Sequence, residues 1–390
     1  MKEWKSYKLS DVTDSIGDGI HGTPKYDEDG SYFFINGNNL ENGKIIIRSS
    51  TKRVSEEEAL KHRKRISERT ILVSINGTLG NTARYNYERC ILGKSACYLN
   101  VKEDVDIDFI YYVVTNKQFK DTISRLATGT TIKNVSLETM RNYELFMPSL
   151  ENQKKISSIL KSIDDKIAIN CQINDNLEQQ AQNIFNHFFI EDNGEIGPYS
   201  EGVLTDIAVY LNGLAMQKFR PEGSDSGLPV LKIKELGQKS CDSSSDRCSS
   251  AIKKDYIVND GDVIFSWSGT LLVDLWCGGK CGLNQHLFKV TSDKYPKWFF
   301  YFWTKHHLDN FIRVAIDKAV TMGHIKRTEL EKAGIIIPSE DKLSEIDNII
   351  SPIIEEIITH RIEMRRLSQL RDSLLPQLMS GEIKINEIDC

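Results

Sequence analysis

One stretch of this chain occurs twice. The segment MPSLENQKKISSILKSIDDKIAINCQINDNLEQQAQNIFNHFF begins at Met147, and a degenerate copy, IPSEDKLSEIDNIISPIIEEIITHRIEMRRLSQLRDSLLPQLM, begins at Ile337, 190 residues later. Pro148 aligns with Pro338, Ile156 with Ile346, Ile167 with Ile357, Leu177 with Leu367 and Phe188 with Leu378, without a gap. A repeat of this length sets the architecture before any shorter feature is read.

Each copy reads as one long helix. Ile156, Leu160, Ile163, Ile167, Asn170, Ile173, Leu177, Ala181, Ile184 and Phe188 follow the three/four spacing of a coiled-coil seam. The second copy places Ile346, Ile350, Ile353, Ile357, His360, Met364, Leu367, Leu370, Leu374 and Leu378 in the same pattern. A Pro-Ser pair precedes each helix, and Gly194 and Gly381 follow the ends. At a 1.5 Å rise per residue, Glu151 to Phe189 would extend about 58 Å. Such a seam needs a partner. Helix one leads out of a first globular segment and helix two begins where the second segment ends, so the two pair antiparallel about a pseudo-twofold axis. Asn170 and His360, the polar interruptions, are expected to meet near that axis and fix the register; the alternative is that both face water. Pro352 inside the second helix should kink or divide it.

The expected fold is therefore α+β: two similar mixed α/β domains joined by two long antiparallel coiled-coil helices. The divisions are 1–148 (first domain), 149–190 (first helix), 191–338 (second domain), 339–380 (second helix) and 381–390 (tail). The globular halves echo one another in order. FINGNNL corresponds to VLKIKEL, TILVSINGTLG to DVIFSWSGTLL, LGKSACYLNV to CGLNQHLFKV, and FIYYVVTNKQFKDTISRLA to KWFFYFWTKHHLDNFI. Ile71 to Ile75 is expected as a strand, and each aromatic-rich segment as a helix. The cluster from Trp298 to Trp303 fits a helix core better than an exposed platform.

Several functions lack their residues. There is no nucleotide P-loop, HExxH, GxSxG or paired CxxC, and no methyltransferase cofactor loop. Gly93-Lys94-Ser95 resembles the end of a phosphate loop, but Glu88 stands where that loop needs glycine. Cys241, Cys248, Cys277 and Cys281 do not have the spacing of common zinc modules. Asp260 and Asp262 near Ser266 are the nearest approach to a metal-dependent catalytic pair, and a turn role suits them better. No apolar run of 18 residues is present and the first residues do not read as a secretory signal, so a cytoplasmic location without a membrane anchor is expected.

A formal net charge of -5 and a pI near 6.0 argue against nucleic-acid binding by bulk charge alone. Local positive charge exists: Lys44, Arg48, Lys52, Arg53, Lys61, Arg63, Lys64, Arg65 and Arg69 fall in one stretch. It reads either as a binding patch or as a solvated helical face. The loops of both halves combine glycine with Asn, Gln, Ser, Thr, Lys and His, side chains that read base edges and that also cap turns.

In this setting DGIHGTPKY from Asp18, SINGTLG and its echo SWSGTLL, LNQHLF from Leu283, TGTTIKN before MPSLENQKKI, and LLPQLMSGEI ending at Ile383 become specific. In order and duplication they resemble the DNA sequence-specificity subunits of type I restriction-modification enzymes. The resemblance implies two target-recognition domains, helices that act as spacer and docking site for two modification subunits, and restriction subunits as further partners. S-adenosylmethionine, ATP and Mg would belong to those partners, leaving this chain non-catalytic and without a cofactor. It implies double-stranded DNA as ligand, read as two short half-sites on the order of one helical turn, about 34 Å, apart. The candidate DNA-binding residues are His21, Thr23, Lys25, Asn36, Asn38, Asn39, Ser74, Asn76, Thr130, Thr131 and Lys133 in the first domain. In the second they are Lys232, Lys234, Ser266, Trp267, Ser268, Asn284, Gln285, His286, Thr321, His324 and Lys326. The second copy reads Val320-Thr321-Met322-Gly323 where the first has Gly-Thr-Thr, a departure from the pattern. A coiled-coil adaptor that binds only protein is the competing reading.

Overall fold

The computed structural model describes residues 4–191, 194–317 and 325–383. Two compact units divide the chain: residues 1–165 with 369–390, and residues 166–368.

In the first unit an antiparallel four-stranded sheet has the order Thr13–Gly17, Ala96–Val101, Thr70–Ser74, Thr82–Arg84. Thr70–Ser74 is buried throughout, as its apolar run Ile71-Leu72-Val73 requires. A second sheet places Tyr32–Ile35 between Arg53–Val54 and Cys90–Leu92, with the latter pair parallel. Lys5–Lys8 pairs with Glu144–Met147, which delivers the chain to the first long helix. Ile156 and Leu160 of that helix share one core with Leu375 and Leu378 of the second.

The second unit repeats this plan. Its antiparallel sheet runs Val209–Asn212, Leu287–Thr291, Val263–Ser266, Leu272–Leu275. Leu228–Leu231 lies parallel to Cys281–Leu283, and Tyr199–Val203 pairs with Gly334–Pro338. The fold is thus α+β, with two similar mixed domains and two long helices.

Leu150–Phe189 and Glu340–Met379 are continuous helices of 40 residues each. Pro352 is exposed and the second helix runs unbroken through it, so the proline does not divide it. Gln153 N–H bonds the Ser149 carbonyl, and Ser339 Oγ accepts from Lys342 N–H at 3.3 Å, so both serines sit where the helices start. Gly381, at φ +72°, ends the second helix. Its N–H bonds the Leu378 carbonyl and Glu382 N–H bonds that of Gln377, the paired bonds of a Schellman motif.

The buried face of the helices is wider than a seam. Phe185, Phe189, Ile354 and Ile358 are buried beside Ile350 and Ile357 because the helices also cover the second unit's sheet and aromatic helix. Ile173, expected on the seam, is 37% exposed, whereas Asn174 beside it is buried. Asn170 Nδ2 donates to Glu363 Oε2 at 2.6 Å, and His360 Nδ1 meets Asn174 Oδ1 at 3.2 Å. The direct pair expected between Asn170 and His360 is replaced by these two contacts, about one helical turn apart, in which Asn170 and Asn174 are buried while Glu363 and His360 are partly exposed.

Each aromatic-rich segment is two helices, not one. Asn116 separates Ile107–Thr115 from Lys117–Leu126, its backbone extended and its side chain accepting from Gln118 N–H at 3.1 Å. This competition from a short polar side chain starts a new helix. In the second unit, Lys297–His306 and Leu308–Asp317 divide at His307. Trp298 to Trp303 are all buried, the state of a helix covered on every side.

Candidate nucleic-acid interface

In each unit, turns leave the ends of matching strands and are tied to one another by backbone bonds. In the first, Ile20 N–H bonds Leu92 O, Gly93 N–H bonds Ile35 O, and Ile75 N–H bonds Ser95 O. In the second, Leu214 N–H bonds Leu283 O, Asn284 N–H bonds Leu231 O, and Trp267 N–H bonds His286 O. The same three turns therefore meet in both units. Glycine is needed at the closest approach: a Cβ on Gly19 would lie 1.8 Å from the Leu92 carbonyl oxygen, and one on Gly213 would lie 2.2 Å from that of Asn284.

Several candidates hold this framework together and have little left for a ligand. Ser74 and Ser266 are fully buried, and their hydroxyls donate to the carbonyls of Asn76 and Ser268 at 3.3 and 3.2 Å. Asn39 is buried; it donates to Ile46 O and Thr51 Oγ1 and accepts from Asn36 N–H. Asn36 Oδ1 accepts from Ser95 Oγ at 2.9 Å. Asn284 and Ser268 are buried as well. Trp267 packs on Phe288 and His286 and donates from Nε1 to Asn212 Oδ1 at 2.9 Å, so its ring belongs to the turn.

A second group lies on the surface. His21 is exposed and paired to Asp18 at 2.8 Å; Thr23 and Lys25 follow it on the same exposed loop. Asn38, Thr130, Thr131 and Lys133 are exposed, and Asn76, half-buried, reaches Asn134 Oδ1 at 3.4 Å. In the second unit Lys234 Nζ donates to Ser244 Oγ at 2.9 Å, Lys232 is paired with Asp246, and Lys326 is exposed. Gln285 and His286 are half-buried, with the Gln285 amide nitrogen 3.3 Å from His286 Nε2. Thr321 and His324 lie outside the described residues.

Much of the positive stretch from Lys44 to Arg69 is structural. Arg48 binds the Asn38 carbonyl and Glu41, Arg53 covers the Phe33 ring, Lys61 pairs with Glu57, and Arg69 donates to the carbonyls of Val101, Lys102 and Val105. Only Glu56–His62 of it is helical, so the solvated-helix reading covers a fraction. Lys44, Lys52, Arg63 and Arg65 remain exposed, and no ion pair engages them among the described residues.

The possible catalytic and metal groups are engaged elsewhere. Asp260 receives both Arg365 nitrogens, at 2.6 and 2.8 Å, and Gly279 N–H; Asp262 pairs with Lys289 at 2.8 Å. Among the described residues no cluster of three or more His, Cys, Asp or Glu has metal-binding geometry. Burial raises the thiol of Cys277 to about 11, which keeps it a neutral core group.

Two copies of one loop-bearing framework, with unlike polar side chains on its turns, define a duplicated recognition module. Comparison with known proteins gives the class. The profile of the type I restriction modification DNA specificity domain matches residues 1–179 and 199–365, and the chain belongs to this family. It is accordingly a recognition subunit and not a catalyst. It is 25% identical to the type I restriction enzyme MjaIX specificity subunit of Methanocaldococcus jannaschii, over 99% of this chain and 95% of that one. Identity to the EcoKI specificity subunit of Escherichia coli is 22%, covering 90% and 82% of the two chains. The crystal structure of the S subunit from M. genitalium shares the fold, with a TM-score of 0.60, 15% identity and 96% of each chain covered. No helix among the described residues is long and apolar enough to cross a membrane.

Proposed function

We propose that each unit reads one half of a split double-stranded DNA target, and that the long helices act as spacer and docking site for two modification subunits. The observation that carries this reading is the repeated turn framework bearing different side chains. Asn36 and Lys232 take equivalent places after matching strands, as do Asn76 and Ser268. One architecture with two sets of tips suits two unlike half-sites better than a symmetric target.

The chain's own part is binding and positioning. Surface Asn, Gln and Lys side chains contact base edges, while Lys44, Lys52, Arg63 and Arg65 contact phosphate. The acidic net charge of the chain leaves much of the phosphate clamp to its partners. Those partners are modification subunits, which bind S-adenosylmethionine, and restriction subunits, which use ATP and Mg. The assembly acts in the cytoplasm.

A gel-shift with randomised duplex DNA tests this, comparing the chain alone with the chain co-purified with its modification subunits. Sequencing of the bound fraction should return two short motifs separated by a fixed gap, mainly from the complex. No enrichment in either sample would contradict DNA reading and favour a protein-only adaptor.

A further inference from the structure

The turn Gly93-Lys94-Ser95 lies at the centre of the first unit's loop cluster. It joins Cys90–Leu92 to Ala96–Val101 and is held on three sides: by Gly93 N–H to Ile35 O, by Ser95 Oγ to Asn36 Oδ1, and by Ile75 N–H to Ser95 O. Ser95 Oγ also accepts from Gly37 N–H at 2.8 Å. Lys94, between these fixed neighbours, is exposed, and no side chain among the described residues pairs with its ammonium.

The second unit places Asn284-Gln285-His286 in the same frame, between Cys281–Leu283 and Leu287–Thr291. The isolated bridge of Ile20 to Gly93 matches that of Leu214 to Asn284. Ala96 N–H bonds Gly93 O as Leu287 N–H bonds Asn284 O. Lys94 and Gln285 are thus the same position in two copies, each the middle residue of a backbone-anchored turn. Such rigid support suits a side chain whose geometry must select a base.

We propose that Lys94 and Gln285 are equivalent base-reading positions, Lys94 for guanine in one half-site and Gln285 for adenine in the other. A lysine ammonium only donates, which matches the O6 and N7 acceptors of guanine. A glutamine amide both donates and accepts, which matches N7 and the N6 amino group of adenine. This rests on the reading of the chain as a DNA specificity subunit.

The test selects randomised duplex DNA with the complex of this chain and its modification subunits, wild type against Lys94→Gln and Gln285→Lys. The expected result is that K94Q moves the preference at one position of one half-site from guanine to adenine, on the order of tenfold, with the other half-site unchanged. Q285K should do the reverse in the other half-site. A third variant, Lys94→Met, keeps the stem and drops the charge; it should relax that position without creating an adenine preference. Uniform weakening of all sequences by K94Q with a shallower salt dependence would make Lys94 a phosphate contact and overturn the proposal. An unchanged split motif overturns it too. A wild-type complex that selects no split motif overturns the broader reading along with it.

Discussion

The hydroxyl of Ser95 donates to Oδ1 of Asn36 at 2.9 Å, and that bond ties two turns of the first unit together. It shows how a polar loop residue that looks available in sequence can be committed to the fold. Asn39, next to it, makes three hydrogen bonds while buried. Asn39→Ala should therefore lower the stability of the first unit by about 2 to 3 kcal/mol, at roughly 1 kcal/mol net for each bond. Denaturant unfolding of the full chain measures this; a change under 0.5 kcal/mol would contradict the assignment.

Asn38 provides the contrast. Its side chain is exposed, and among the described residues only its carbonyl is used, by Arg48 Nη1 at 2.7 Å. Asn38→Ala should leave the unfolding midpoint within error and relax the first half-site in a binding selection. A loss of stability equal to that of Asn39→Ala would remove Asn38 from the reading surface.

The difference between these two asparagines explains what was legible beforehand. The repeat, the long helices and the matching succession of segments in the two halves were readable because hydrophobic spacing and its duplication survive divergence. Ser74 and Ser266 carried no such mark. Their hydroxyls close turns within two to four residues, a local bond that composition does not distinguish from an available side chain. The break at Asn116 was hidden for a similar reason, since the apolar spacing continues across it while its side chain caps the next helix. On the helix pair, Ile173 occupies a regular seam position in sequence, which masks the buried role of Asn174 beside it. Ser95 carries no sequence mark of its role either, because its bonds to Asn36 and Gly37 join residues nearly sixty positions apart.

In the second unit Arg361 donates to Asp274 Oδ1 at 2.7 Å and to the Leu275 carbonyl, and approaches Glu178 at 3.5 Å; both Arg361 and Asp274 are largely buried. Asp274→Ala leaves the guanidinium with reduced compensation and should cost about 3 to 5 kcal/mol. The double replacement Arg361→Met with Asp274→Leu should recover much of that loss. Thermal or denaturant unfolding compares the three proteins, and a double variant no more stable than the single one would contradict a desolvation origin.

The second unit should also be acid-sensitive. Backbone N–H of Gly227, with the hydroxyl and N–H of Ser250, holds the Asp225 carboxyl below its ordinary range. Burial raises those of Glu178 and Asp260, but Lys305 and Arg361 on the first, and Arg365 with Gly279 N–H on the second, outweigh it and leave both lowered. A carboxyl lowered in the folded state binds fewer protons there than in the unfolded chain. Its contribution is complete above the ordinary carboxyl value of about 4 and is lost as pH falls through the lower folded value. Burial also lowers His306 and His307, so urea midpoints should begin to decline below the ordinary histidine value of about 6.5. A further drop should follow below about 4, and Asp225→Asn should make that lower drop shallower. An equally steep drop in that variant would contradict the role of Asp225.

Each unit should read its own half-site independently of the other. The most direct measurement is selection of randomised duplex DNA by the chain with its modification subunits, repeated with Asn38→Ala and with Lys234→Ala. The expected result is a split motif in which Asn38→Ala relaxes one half, Lys234→Ala relaxes only the other, and the gap stays constant. Relaxation of both halves by either change, or a motif without a gap, would contradict it.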